Sequence, residues 1–336
     1  MRKKCGMILG LLLLMMAFLV GCGGQQPAAG GSGSGAVSKA ATQQTEAMPT
    51  GNVTIKMLNV GQGDSILVQT AEQTVLIDTS DVDEQDKLRA ELKKANVQKL
   101  DKVILTHPHA DHIGGMPVLY EAYSVGEVYD NGVTVKSKIY RSNLKTAQQK
   151  NIPVKTLKAG DTLDFGGGVT FHVYAPGPQM LEESKAKKFN QNNGSIVGQL
   201  VCGQFKMMLT GDAEQEAEAK IDGSYKDVLN SDVLKAGHHG SKTSSSPTFL
   251  RYVHPQVCLI SCGEKQPKGG TGNTYGHPHE QTLKKYAALK AKVYATVWNG
   301  TITITSDGQT YKVTAEHAKD APDQPAETYE GKAGTK

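Results

Sequence analysis

The stretch Leu105-Thr-His-Pro-His-Ala-Asp-His-Ile-Gly-Gly115 sets three histidines and an aspartate within positions 107 to 112 and leaves through two glycines. Neutral imidazoles offer lone pairs to a borderline cation, and a carboxylate adds the charge that lets two cations sit close together. His107 and His109, two apart, can point one way, while Asp111 and His112 can address a neighbouring position. The stretch can thus serve two metals. A polar surface loop is the plain alternative, but so dense a donor set argues against it, and the paired glycines suit close backbone approach. An apolar run, Lys102 to Leu105, precedes the motif and reads as the strand that delivers it.

Two further strand-like runs end in donors: Phe205 to Leu209 leads to Thr210-Gly211-Asp212, and Val233 to Ala236 leads to Gly237-His238-His239-Gly240. A lone Gly-Asp would mean little, because turns favour both residues. Here its meaning comes from the other two motifs. The run Gly240-Ser-Lys-Thr-Ser-Ser-Ser246 offers backbone N–H groups, the Ser241 hydroxyl and Lys242 to phosphate oxygens, or is a plain polar loop. Gly61-Gln-Gly-Asp64 is too short for a phosphate-cradling loop and is followed by strand-like residues, so it reads as a turn. Tyr275-Gly-His-Pro-His279 has ligand-like spacing, yet its proline and the helical pattern after it fit a helix entry equally well.

The order of HxHxDH, strand-terminal Gly-Asp and a later histidine motif resembles the metallo-β-lactamase superfamily. More narrowly, LNVGQGDSILVQT, TVLIDTS, LTHPHADHIGG, MMLTGDAE, LKAGHHGSKTSSS and YGHPH resemble the exported metallo-β-lactamase domain of ComEC-type competence proteins, over about Val53 to Val313. The resemblance implies an α/β fold, a four-layer αββα sandwich, with two divalent metal ions, zinc or manganese, in a cleft at the edge of its sheets. It implies His107 and His109 as ligands of one metal, Asp111 and His112 as ligands of the other, and Asp212 as the bridge. For the last ligand His238 is favoured, which leaves His239, with Asp111, to carry protons. Asp64, Asn192, Ser241, Lys242 and His277 are expected to face substrate. One departure matters: the superfamily's further ligand histidine is missing, and Phe189-Asn-Gln-Asn-Asn-Gly-Ser195 stands in its place. An amide oxygen from Asn192 or Asn193, or water, would shift preference from zinc toward manganese.

The remaining pattern alternates β-rich runs with helices. Strands are expected at Val53 to Leu58, Ser65 to Gln69, Thr74 to Ile77, Gly126 to Tyr129, Val169 to Tyr174, Ser195 to Val201, Val257 to Ser261 and Lys292 to Val297, with a hairpin from Thr301 to Val313. Helices are expected from Asp81 to Lys94, Pro117 to Tyr123, Asn143 to Gln149 capped by Ser142, and Glu280 to Leu289. Two β-rich halves with helices between them suggest a layered sandwich.

Arg2, Lys3 and Lys4 precede an apolar run of about fifteen residues, the layout of a secretory signal. It ends in Leu19-Val-Gly-Cys22, which resembles a bacterial lipobox, so residues 1–21 are expected to be cleaved and Cys22 to be lipidated. Residues 22–50, rich in Gly, Ser, Ala and Gln, read as a flexible tether, 51–315 as the hydrolase domain and 316–336 as a disordered tail. The expected location is the outer face of the bacterial membrane. Loss of the three signal-peptide cations lowers the formal net charge from +4 to about +1, so bulk charge selects no partner. Cys202, Cys258 and Cys262 sit in apolar runs and read as buried thiols.

The expected activity is metal-dependent hydrolysis of phosphodiesters in nucleic acid, with single-stranded DNA favoured, as the resemblance implies. Against it stand the near-neutral charge and the lack of an aromatic-basic stripe; Lys265, Lys268, Lys284 and Lys285 form a patch only if folding collects them. The alternatives are a metallo-hydrolase of a lactam, thioester or small phosphodiester, and a tethered protein that binds nucleic acid without cutting it.

Overall fold

A computed structural model of the protein describes residues 52–270, 272–318 and 328–335. The expected signal peptide (1–21) and tether (22–50) lie outside the described residues, among which no helix is long and apolar enough to cross a membrane.

The first half of the chain builds β1 (Val53–Met57), β2 (Ile66–Gln69), β3 (Thr74–Ile77), β4 (Lys99–Ile104), β5 (Ser124–Asp130) and β6 (Val154–Thr156). With them come helices α1 (Gln85–Lys94), α2 (Ala110–Ile113), α3 (Met116–Ala122) and α4 (Lys138–Gln149). The second half adds β7 (Thr162–Asp164), β8 (Val169–Ala175), β9 (Val197–Cys202), β10 (Phe205–Leu209), β11 (Val233–Lys235), β12 (Val257–Ile260) and β13 (Lys292–Ala295). Its helices are α5 (Pro178–Glu183), α6 (Gln215–Tyr225), α7 (Pro247–Val253), α8 (Glu280–Ala288) and α9 (Thr296–Asn299). Strands β14 (Ile302–Ser306), β15 (Thr310–Ala315) and β16 (Thr328–Lys332) return to the first sheet, whose order is β16-β15-β14-β1-β2-β3-β4-β5-β6. The second sheet runs β13-β12-β11-β10-β9-β8-β7.

Period-two alternation builds the layers, because successive strand residues face opposite sides of a sheet. Val75 and Ile77 enter a core between the sheets while Leu76 joins a second core with Leu88, Leu92 and Leu119 from the helices. In the other sheet Met207 and Leu209, Val257 and Leu259 face inward, whereas Met208, Cys258 and Ile260 pack outward against Ala217 and Ile221 of α6, Phe249 of α7 and Tyr286 of α8. Three apolar layers between four structural ones make the expected αββα sandwich. Cys202, Cys258 and Cys262 are buried thiols.

Several boundaries differ from expectation. Helix α4 starts one turn early, because Ser137 rather than Ser142 caps it by accepting from the Tyr140 amide. A 3-10 turn, Val82–Glu84, capped by Asp81, precedes α1, so the helix proper begins at Gln85. Strand β9 starts at Val197, since Gln191–Gly194 coils as a 3-10 turn just before it. The tail is not wholly disordered: β16 pairs antiparallel with β15, and Gly331 opposite Tyr311 supplies the reason. A Cβ at Gly331 would come within 2.4 Å of the Tyr311 ring, so glycine lets that ring lie across the strand.

Candidate metal centre

The site lies where parallel strands end, at the edge where the two sheets meet. In the first sheet β3, β4 and β5 run parallel, as do β10, β11 and β12 in the second. Asp78 follows β3, the HPHADH segment follows β4, Asp212 follows β10, and His238 and His239 follow β11. The turn after β4 is compressed against the turn after β3. A Cβ on Gly115 would stand 2.0 Å from the Thr79 carbonyl oxygen, and one on Gly114 2.3 Å from the Val82 nitrogen. The glycine pair therefore lets α2 close on the loop that carries Asp78.

One oxygen is the hub. Asp212 Oδ2 lies 3.3 Å from His112 Nε2, 3.4 Å from His239 Nε2, 3.8 Å from His238 Nε2 and 4.0 Å from His107 Nε2. Asp111 Oδ2 stands 3.2 Å from His239 Nε2 and 4.0 Å from His112 Nε2. Beside this group, His107 Nε2 and His109 Nδ1 are 3.0 Å apart, near the roughly 3.3 Å that separates two nitrogens on one tetrahedral zinc. His107, His112, Asp212 and His239 are all buried, while His109 and Asp111 border a cleft of about 570 Å³.

Several buried donor atoms are left unused by the protein itself. His112 Nε2 and Asp212 Oδ1 make no hydrogen bond, nor does Asn192 Oδ1. Buried polar atoms are rarely orphaned without a reason, and these fit two divalent cations. Asp111, His112, Asp212 and His239 form one ligand group. His107 and His109 stand beside it, with His107 Nε2 4.0 Å from Asp212 Oδ2, and Asn192 lines the same cleft where the expected histidine is missing.

The pair after β11 separates into different tasks from those the sequence suggested. Both residues adopt left-handed backbone, φ 47° at His238 and 51° at His239, and their rings diverge by 65°. Two consecutive non-glycine residues of this kind mark a strained, functional turn. His239 turns inward and is held by Asp111 and by a 2.9 Å contact from Nδ1 to the Ser261 carbonyl. His238 turns toward the rim, with Nδ1 3.1 Å from Glu214 Oε1. The geometry thus puts His239 in the tight ligand group, with His238 Nε2 farther out at 3.8 Å from Asp212 Oδ2.

Charge within the cluster follows from burial and neighbours. Burial opposes charge on His107 and His109 and holds both below the usual histidine range, which leaves them neutral donors. Burial also opposes charge on His112 and His239, but the carboxylates, Asp212 foremost, outweigh it and raise both. Burial disfavours the Asp111 carboxylate as well, yet His112 and His239 overcome that and keep it ionised. A carboxylate kept ionised suits a metal ligand.

Two supporting residues escaped the sequence reading. Asp78 bonds His112 Nδ1 at 2.7 Å and Thr106 through both its hydroxyl and its amide, which aims His112 Nε2 at the hub. Lys235, 1% exposed at the end of β11, pairs its Nζ with Asp64 and lies 3.7 Å from Asp212 Oδ1. Signals existed in TVLIDTS and DVLKAG, where a charge ends an apolar strand. Asp64 is consequently beneath the cluster, 1% exposed, and not on the substrate side. Asp64, Asp78 and His112 also approach one another, but Lys235 and Thr106 already engage the two acids.

Of the other expected substrate groups, Asn192 and His277 line the cleft, whereas Ser241 and Lys242 do not. The Ser241 hydroxyl is bonded to Thr243 Oγ1 at 3.0 Å and Lys242 is exposed. Their loop is instead a built turn: the Glu218 carboxylate receives the amides of Ser245 and Ser246.

The chain is similar to known proteins in sequence and in fold. The chain is 30% identical over 266 residues to ComE operon protein 3 of Bacillus subtilis, covering 74% of this chain and 32% of that protein. It is 30% identical over 259 residues to competence protein ComA of Neisseria gonorrhoeae, covering 76% and 33%. The chain thus spans about a third of the length of these curated relatives. Among solved structures, a CmlA β-hydroxylase variant superposes with a TM-score of 0.50 at 11% identity, over 75% of this chain and 53% of that one, a likeness of fold alone. The sequence profile described as Metallo-beta-lactamase superfamily matches residues 58–264, the span from the end of β1 past the last histidine pair, and the chain belongs to that superfamily.

Proposed function

We propose that the protein is an extracytoplasmic, lipid-anchored phosphodiesterase that hydrolyses single-stranded nucleic acid with two divalent cations, zinc or manganese. The observation that carries the reading is the Asp212 hub, ringed by imidazoles and open to the cleft through His109 and Asp111. The similarity to competence proteins over their shared third supports nucleic acid as substrate, and the lipobox-like Leu19–Cys22 supports the anchor.

When bound, the cations would make water acidic enough to act as nucleophile and would stabilise charge on the departing oxygen. The chain's own residues hold them: His107, His109 and Asp212 for one, Asp111, His112, Asp212 and His239 for the other. The unpartnered Asn192 Oδ1, from a residue lining the same cleft, would add an oxygen donor, which favours manganese more than a third imidazole would. His238, at the rim and paired with Glu214, is the group placed to meet a substrate proton.

Among the described residues the cleft lining contains no lysine or arginine, which favours, as a second reading, a small phosphodiester or a strand end over long duplex DNA. The test incubates the purified full-length chain with labelled single-stranded DNA, duplex DNA and bis(p-nitrophenyl) phosphate, each with manganese or zinc. Cleavage of the single strand that is abolished in His109→Ala and Asp111→Ala supports the proposal. Turnover of the small diester alone favours the second reading, and DNA binding without metal-dependent cutting overturns both.

A further inference from the structure

Tyr275 is 70% exposed, the most exposed large apolar-bodied side chain among the described residues, and it stands at the rim of the cleft. Beneath it the rings form a column. The Tyr275 and His277 rings are 5.7 Å apart and 19° from parallel, and those of His277 and His239 are 6.0 Å apart and 25° from parallel. The column therefore runs from solvent to the ligand cluster in two ring steps. Its mounting is rigid: buried Asn273 accepts from the His277 amide at 3.0 Å and donates to the His277 carbonyl at 2.6 Å and to the Gly263 carbonyl at 2.8 Å. His277 itself is 3% exposed, yet its Nδ1 makes no hydrogen bond although the residue lines the cleft. On the flanks, a Cβ placed on Gly272 or Gly276 would meet nothing within 4 Å.

A backed, preorganised aromatic face open to solvent, beside a cleft whose described lining carries Asp81, Asp111 and Asp212 but no lysine or arginine, suits a ligand recognised by its π-face rather than by its charge. We propose that Tyr275, backed by His277, is a stacking platform for an unpaired nucleobase of the strand whose phosphate lies at the ligand cluster. The inference rests on the phosphodiesterase reading and deepens it. Stacking on such a face tolerates any base, because every base has a π-face, but it requires the base to be unpaired. The platform thereby selects single strands over duplex, a choice that a cleft wall with no lysine or arginine among its described residues cannot make.

The experiment compares an oligothymidylate with an abasic oligomer of equal length, measuring binding to the full-length chain by fluorescence anisotropy in chelator-treated buffer. Both oligomers carry the same phosphates, so the ratio of their affinities isolates the bases. Wild type is expected to prefer the base-bearing oligomer by about tenfold. Tyr275→Ala should bring that ratio close to one, and Tyr275→Phe should keep it. A wild type that binds neither oligomer, or does not discriminate, overturns the platform, as does a Tyr275→Ala protein that keeps the preference. So does a preference for oligosaccharide over either oligomer. Cleavage is scored separately after manganese is restored: base preference without cutting retains the platform and sinks the phosphodiesterase.

Discussion

At the scale of single residues, the site divides into side chains that would touch metal and side chains that aim them. His239 is in the first group because its Nε2 lies 3.2 Å from Asp111 Oδ2 and 3.4 Å from Asp212 Oδ2, whereas His238 Nε2 stands farther from the hub, at 3.8 Å, and its Nδ1 faces Glu214. His239→Ala should lose one of two bound metal equivalents by elemental analysis after dialysis, and His238→Ala should keep both; the reverse result would restore the assignment made from sequence. Asp78 belongs to the second group, and Asp78→Asn should weaken metal binding by about 10- to 100-fold through a misaimed His112, as read by competition with a chromogenic chelator. Lys235 supplies a cation where metals are also expected. Lys235→Met would remove the buried cation that faces Asp64 and Asp212 and leave His112 and His239 as their remaining counter-charges, at a cost of about 3–5 kcal/mol in metal-free protein. Urea denaturation should show that loss, partly recovered when manganese is added. HPHADH was legible because its density is improbable without a metal, but a single lysine in DVLKAG carries no such statistic. Its burial follows from two strands that meet only in the folded sandwich. The choice between His238 and His239 was equally hidden, since two left-handed residues in succession set their ring directions and no spacing rule encodes them.

At the scale of elements, α6 and β16 hold features that composition alone obscured. Asp222 lies on the buried face of α6 with neither carboxylate oxygen hydrogen-bonded. Burial pushes its pKa up to about 6, and Arg251 offsets only part of that rise. A carboxyl raised above its unfolded value makes the folded state hold its proton more tightly. The destabilisation is full above about pH 6 and is relieved as pH falls toward 4. Asp222→Asn should therefore raise stability by about 1–2 kcal/mol at pH 7.5 and leave it nearly unchanged at pH 4. Urea midpoints at the two pH values read the difference, and an equal gain at both would refute the assignment. The β16 segment, Thr328–Lys332, escaped notice because its polar residues and glycine resemble a solvated tail. Its stability comes from partners far away in sequence: the Tyr329 hydroxyl bonds Gln256 Oε1 at 3.1 Å, and the Gly334 amide bonds Asp232 Oδ1 at 2.9 Å.

At the scale of the whole molecule, neither sheet holds a metal site alone. The first contributes His107, His109, Asp111 and His112 and the second contributes Asp212 and His239, so the ligand groups exist only when both sheets are packed on their common core. Without cations the same packing buries Asp64, Asp78 and Asp212 close together and sets the half-buried Asp111 beside them, balanced by Lys235 and by raised charge on His112 and His239. Divalent cations should bind the folded chain far more tightly than the unfolded one, and binding must then appear as stability. At free metal one hundred times its dissociation constant the gain is about 2.7 kcal/mol per site, which corresponds to a melting shift of roughly 5–10 °C for a domain of this size. Thermal unfolding of the chelator-treated protein against increasing manganese or zinc should show that climb as one cooperative transition. His109→Ala should reduce it and His239→Ala should reduce it further, because His239 Nε2 contacts both Asp111 and the shared Asp212. A melting temperature indifferent to every divalent cation would mean that Lys235 and the protonated histidines already satisfy the carboxylates, and that the cluster is a structural ion network.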